Sequence, residues 1–167
     1  MDRERQLRRR IRVWLGIFIL GLIVSGLTAF PLLAELEYSA RLLGLSVTDT
    51  PENYTGLRHW ILTLREALRE THAKYPVMAY GTDWLAFAHV VIAIFFIGPF
   101  VRPESNRWVI AAGMIACGLV VVFALICGPI RGIPFFWRLI DCSFGVFGFI
   151  PLWLAWRDAG ELATICD

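Results

Sequence analysis

The sequence predicts an all-α membrane protein, a four-transmembrane-helix bundle with an extracytoplasmic amphipathic helix between spans 1 and 2. Three observations lead there. The chain of 167 residues is 57% hydrophobic and only 18% charged, more apolar than a soluble domain of this size can usually hide. Four apolar runs, about 13–33, 84–101, 108–127 and 133–156, approach the roughly 20 residues a helix needs to cross about 30 Å of hydrocarbon. Arginine and tryptophan then fall at levels that agree on one orientation. Only 34–83 is long enough to hold further structure of its own, so a single four-helix integral membrane domain over 1–167 is expected.

The first run follows MDRERQLRRRIR, in which six arginines outnumber two acids. The apolar stretch behind it is longer than the roughly 7–15 residues of a secretory signal and ends in no small-x-small cleavage site, which predicts a retained anchor. Basic residues collect on the cytoplasmic side. Arg102 and Arg107 of the RPESNR turn and Arg157 after the last run fall on the same side as this start. Indoles gather at the two headgroup levels; Trp14, Trp108, Trp153 and Trp156 mark the inner one, Trp84 and Trp137 the outer. Both termini are therefore expected in the cytoplasm, 34–83 outside, and the protein in a cell inner membrane.

Within 34–83, the stretch TPENYTGLRHWILTLREALRETHAKYP opens on Thr50, Pro51 and Glu52, a helix start, and Pro76 limits its end. Leu57, Trp60, Ile61, Leu64, Ala67 and Leu68 recur at helical spacing, with Arg58, Arg65, Glu66, Arg69 and Glu70 mostly on other faces. This predicts a helix over roughly Tyr54 to Ala73 whose apolar stripe lies on the membrane surface or on the mouth of the bundle. Inside the runs, Gly21 with Ser25 and Ala112 with Ala116 are small-xxx-small pairs that let helices approach closely. Cys117, Cys127, Cys142 and Cys166 contain no C-x-x-C pair, which reads as apolar packing and counts against a thiol oxidoreductase.

The fourth run carries charge. Entered from outside, it presents Arg138 about one turn in and Asp141 about two, three residues apart and so close enough to pair on one face. The second run places Asp83 at its mouth and His89 about 9 Å deeper at 1.5 Å per residue. Arg131 sits in the outer turn, and Glu35 and Glu37 follow the first run at the same end. A charge at mid-membrane costs roughly 2.5–3.5 kcal/mol, so retained charges face a bundle interior or a wet cavity. A polar cluster of Asp83, His89, Arg131, Arg138 and Asp141 in the outer half is expected.

Several chemistries fail on residue type. A haem between helices needs two axial ligands at matched depth, and His89 is the only histidine inside a run. A metal site lacks ligand spacing such as H-x-x-x-H and would sit beside arginines that repel cations. No metal, cofactor or nucleic acid is expected. Forked donors from Arg131 and Arg138, with His89 and Asp141 to position a hydroxyl or move a proton, suit a small amphiphile or lipid headgroup. Those two residues would be the catalytic candidates if the pocket is an enzyme's, but no nucleophile elbow or phosphate loop decides between binding and catalysis. A non-catalytic subunit docking on a membrane partner, or a homo-oligomer in the bilayer, remains the alternative of another class.

Overall fold

The structure, a computed structural model, describes residues 2–166 and is all-helical, with no strand among them. Seven α-helices follow in order: α1 Asp2–Ala29, α2 Leu32–Leu42, α3 Gly56–Lys74, α4 Ala79–Phe95, α5 Ile97–Val101, α6 Arg107–Ile130 and α7 Phe135–Cys166. Four helical stretches, Asp2–Ala29, Pro76–Val101, Arg107–Ile130 and Phe135–Ile165, are long and apolar enough to cross a membrane. These are the four expected spans. They are compatible with a multi-pass membrane bundle.

The helix ends differ from those of the apolar runs: α1 starts well before the first run and stops at Ala29, short of the expected 33, where the chain turns into α2, and α7 continues past 156. With 28 and 32 residues, α1 and α7 reach about 42 and 48 Å at 1.5 Å per residue, beyond the hydrocarbon thickness. In α1 the reason is a row that starts before the apolar run does. Leu7, Ile11 and Leu15 recur at i, i+4 and are fully buried, while most arginines between them point elsewhere. In α7 the matching row is Leu152, Ala155, Ala159 and Leu162, also fully buried. Together with Phe96, Ile110 and Cys117 they form one core.

Two units separate by their internal contacts. The first joins residues up to Leu22 with those from Ile92 onward, and the second is Ile23–Val91. In the first, α6 packs along α7. A Cβ added at Gly145 would lie 2.5 Å from the Cys117 carbonyl oxygen, and one at Gly148 would lie 3.0 Å from Cys117 Sγ. Cys117 is buried against these glycines, as apolar packing requires, and Cys117, Cys127 and Cys142 are free thiols; the Cys166 side chain lies outside the described residues. Pro99, which has no N–H to donate one turn back, accompanies the break between α4 and α5 at Phe96.

The small pairs permit close approach, but the tightest contacts among the described glycines fall elsewhere. Gly21 has open space around its Cβ position, and Ala116 is exposed. Close approach falls at Gly113, Gly145 and Gly148 instead, and in the second unit at Gly26, where a Cβ would meet the Ala86 carbonyl oxygen at 2.8 Å.

In the second unit, α2 packs on α3. Helix α2 ends in a Schellman arrangement: Gly44 takes φ +72°, its N–H reaches the Arg41 carbonyl at 3.0 Å, and Leu45 N–H reaches that of Ala40 at 2.9 Å. The chain turns there and buries Leu45. Helix α3 forms where the spacing predicts it, but its most buried face differs. Ile61, Leu62 and Arg65 are buried, Trp60, Leu64 and Leu68 are half-buried, and Leu57 is 42% exposed. Arg65 displaces the expected stripe because its guanidinium donates to two chain carbonyls, Ser46 at 3.0 Å and Asp49 at 2.7 Å.

Candidate functional site

Two of the five expected residues belong to the second unit. Asp83, half-buried on α4, lines a groove of about 310 Å³ with Phe30, Tyr80, Trp84 and Phe87. Tyr80 packs edge-on against Trp84 at 5.9 Å, and Trp84 edge-on against Phe87 at 5.8 Å. The groove is thus an apolar surface with one carboxylate. Such a lining suits the junction of an amphiphile's head and tail.

His89 lies six residues further along α4, which at 100° per residue turns it about 120° away from Asp83 around the helix. These two do not share a face. His89 Nδ1 stands 2.8 Å from the Leu85 carbonyl oxygen. A carbonyl only accepts, so Nδ1 carries the proton and Nε2 of the neutral ring is left as an acceptor. Gly26 lets the ring's stem sit close: a Cβ there would lie 3.1 Å from His89 Cβ.

The other three residues belong to the first unit. Arg131 caps α6 through its backbone N–H, bonded to the Cys127 and Gly128 carbonyls, and its side chain is exposed. Arg138 lays its stem on Gly128, where there is no room for a Cβ beside the Arg138 Cδ and Cγ. Its guanidinium lies over the Phe135 ring, 5.1 Å from the centroid. Its Nε is buried and has no hydrogen-bond partner among the described residues.

Asp141 is half-buried in α7 and is not paired with Arg138. The expected contact fails for a reason of helix geometry. Side chains on a helix lean toward its N-terminus, and Arg138 leans back to Phe135, away from the turn that carries Asp141. Among the described residues, neither charge has an ion partner.

No known protein family, curated protein or solved structure matches this chain.

Two polar constellations had no place in the sequence expectation. At one end of the first unit, Asp158 is buried on α7 between Arg10, with Nε 3.1 Å away, and Arg157, with Nη2 3.0 Å away. In the second unit, Glu37, Arg41, Leu45, Ser46, Val47, Arg65 and Arg69 line a small cavity of about 20 Å³. Arg69 Nη2 is bonded to Glu37 at 2.7 Å, which holds the Glu37 carboxyl below the usual carboxylate range against the opposing effect of burial. The spacing Glu37/Arg41 and Arg65/Arg69, one helical turn in each helix, was the signal available in the sequence.

Proposed function

We propose that the protein is an inner-membrane, multi-pass protein with both termini in the cytoplasm, which binds a lipid or small amphiphile through polar groups held in its spans. The observation that carries this reading is the pair of charges on α7 that have no ion partner among the described residues. A charge costs roughly 2.5–3.5 kcal/mol at mid-membrane on insertion scales, and these two, one and two turns in, bear part of that cost. Arg138, with a buried and unsatisfied Nε, is a donor prepared for an anionic or polar head. Asp141 has no partner among the described residues that would neutralise it. The groove beside Asp83 supports the same reading from the second unit, since four aromatic side chains and one carboxylate suit a ligand with an apolar and a polar part.

A catalytic version is favoured by one detail. With Nδ1–H held by the Leu85 carbonyl, His89 Nε2 is fixed as a proton acceptor. The acid or hydroxyl it would act on is the ligand's.

Asp141→Asn keeps the shape and hydrogen-bonding capacity of the side chain and removes its charge. The purified variant should melt no lower than the parent in mild detergent, since an amide is cheaper to bury than a carboxylate without an ion partner, and should retain about tenfold less co-purified lipid in native mass spectrometry, the loss of one charge-assisted contact. A lowered melting temperature with unchanged bound lipid would make Asp141 a packing residue and defeat the proposal.

Orientation has its own test. Thr55 is exposed just before α3. In a variant without the native cysteines, a thiol at this position should react in intact cells with a reagent that cannot enter the cytoplasm. Labelling only after that barrier is opened would reverse the topology.

A further inference from the structure

The cavity between α2 and α3 is a site in its own right. Three guanidinium groups, those of Arg41, Arg65 and Arg69, line it with one carboxylate, Glu37. Each arginine is held differently. Arg65 is only 4% exposed and is fixed by its two Nη donors on the Ser46 and Asp49 carbonyls, yet its buried Nε has no hydrogen-bond partner among the described residues. Arg69 spends Nε and Nη2 on one oxygen of Glu37, at 3.3 and 2.7 Å. Arg41 is exposed and makes no side-chain hydrogen bond among the described residues. The nearby Asp49 carboxylate does not line the cavity and accepts from Ser46 N–H at 2.7 Å.

A structural role explains part of this arrangement: Arg65 ties the turn after α2 to α3, and Arg69 ties α3 to α2. It does not explain the surplus. A buried donor left unsatisfied is costly, and Glu37, already bonded to Arg69, balances only one of the three guanidinium charges, which otherwise repel one another. The cavity's roughly 20 Å³ exceeds the ~10–15 Å³ that one water-sized group needs. It admits one oxygen of a tetrahedral anion while the remainder stays at the mouth beside Arg41.

We infer that Arg41, Arg65 and Arg69 form a binding site for a phosphate group, with Arg65 receiving the innermost oxygen and Arg41 the outer face. The site shares no residue with the span charges discussed above and stands independently of them. Two sources supply this chemistry. One is a phospholipid headgroup, which is within reach because α2 begins three residues after the first span ends at Ala29. The other is free phosphate. Glu37 competes with the ligand for Arg69, so its charge sets the affinity.

The test uses the full chain in an uncharged detergent with two probes: inorganic phosphate, followed by saturable broadening of its ³¹P resonance, and phosphatidylglycerol, followed as retained adducts in native mass spectrometry. Arg41→Gln removes a guanidinium that makes no hydrogen bond among the described residues. It should weaken binding about tenfold, as expected for one charge-assisted contact. Glu37→Gln should strengthen it by freeing Arg69. Arg58→Gln, the same charge change on an exposed part of α3 away from the cavity, should change nothing. If these responses appear with phosphatidylglycerol alone, the ligand is a lipid headgroup; if with inorganic phosphate, it is the free anion. Binding of neither probe, or binding equal in Arg41→Gln, Glu37→Gln and parent, overturns the site.

Discussion

Gly145→Ala should lower the stability of the protein by about 1–3 kcal/mol, whereas Gly21→Ala should leave it unchanged or raise it slightly. Both glycines sit inside helices long and apolar enough to cross a membrane. Intrinsic helix propensity favours alanine at both by roughly 0.5–1 kcal/mol. The difference is what the new methyl group meets. At position 145 it would fall 2.5 Å from a backbone oxygen, that of Cys117, and 3.0 Å from Val121 Cγ2. A flexible side chain could move aside, but a helix carbonyl cannot, so α6 and α7 must separate. In a bilayer that separation is costly, because helix association there rests on close van der Waals packing rather than on exclusion of water. At position 21 nothing lies within 4 Å. Thermal denaturation of the two variants and the parent in one detergent measures the contrast, and equal melting temperatures would contradict the packing described for α6 and α7.

This pair also shows where sequence is a poor guide. Gly21 with Ser25 and Ala112 with Ala116 have the small-xxx-small form, but that form states only that a close approach is permitted. Which helix face meets a neighbour depends on long-range geometry, and the chain uses Gly113, Gly145 and Gly148. The four spans were legible because a long apolar run is a local property. Their true ends were not, since Leu7 and Ile11 are two apolar residues among six arginines and become a core only when α7 supplies Leu152, Ala155, Ala159 and Leu162. Helix α3 was legible for the same local reason, but its buried face was not. Arg65 was assigned to the polar side by residue type, whereas its hydrogen bonds to the Ser46 and Asp49 carbonyls draw it inward. Arg138 and Asp141 were correctly located as charges inside an apolar helix. Their pairing was inferred from spacing alone, and spacing does not include the lean of Arg138 toward Phe135.

The largest loss of stability is expected from Arg10→Gln combined with Arg157→Gln. Asp158 is 1% exposed and sits in α7 beside Ala159, four residues before Leu162, with the core row on its helix. Its two oxygens are divided. Arg157 donates Nε and Nη2 to Oδ1 at 3.2 and 3.0 Å, and Arg10 brings Nε to 3.1 Å of Oδ2, close enough for an ion pair although not aligned as a hydrogen bond. Both arginines are about half in solvent, with side chains 41% and 49% exposed, so losing either one alone should cost no more than about 1 kcal/mol. Water hydrates the arginine that remains, and the carboxylate keeps one partner. Losing both leaves a buried charge with no cation, which costs about 3–5 kcal/mol. The effects should therefore be strongly non-additive, and a double-mutant cycle of unfolding free energies in detergent measures the coupling. Adding Asp158→Asn to the double variant removes the charge and should recover most of the loss, since an amide is far cheaper to bury than an unpaired carboxylate. If the double variant loses only the sum of the single effects, or if Asp158→Asn does not rescue it, Asp158 is hydrated in the native protein and the seam between α1 and α7 is looser at this end than its apolar row implies.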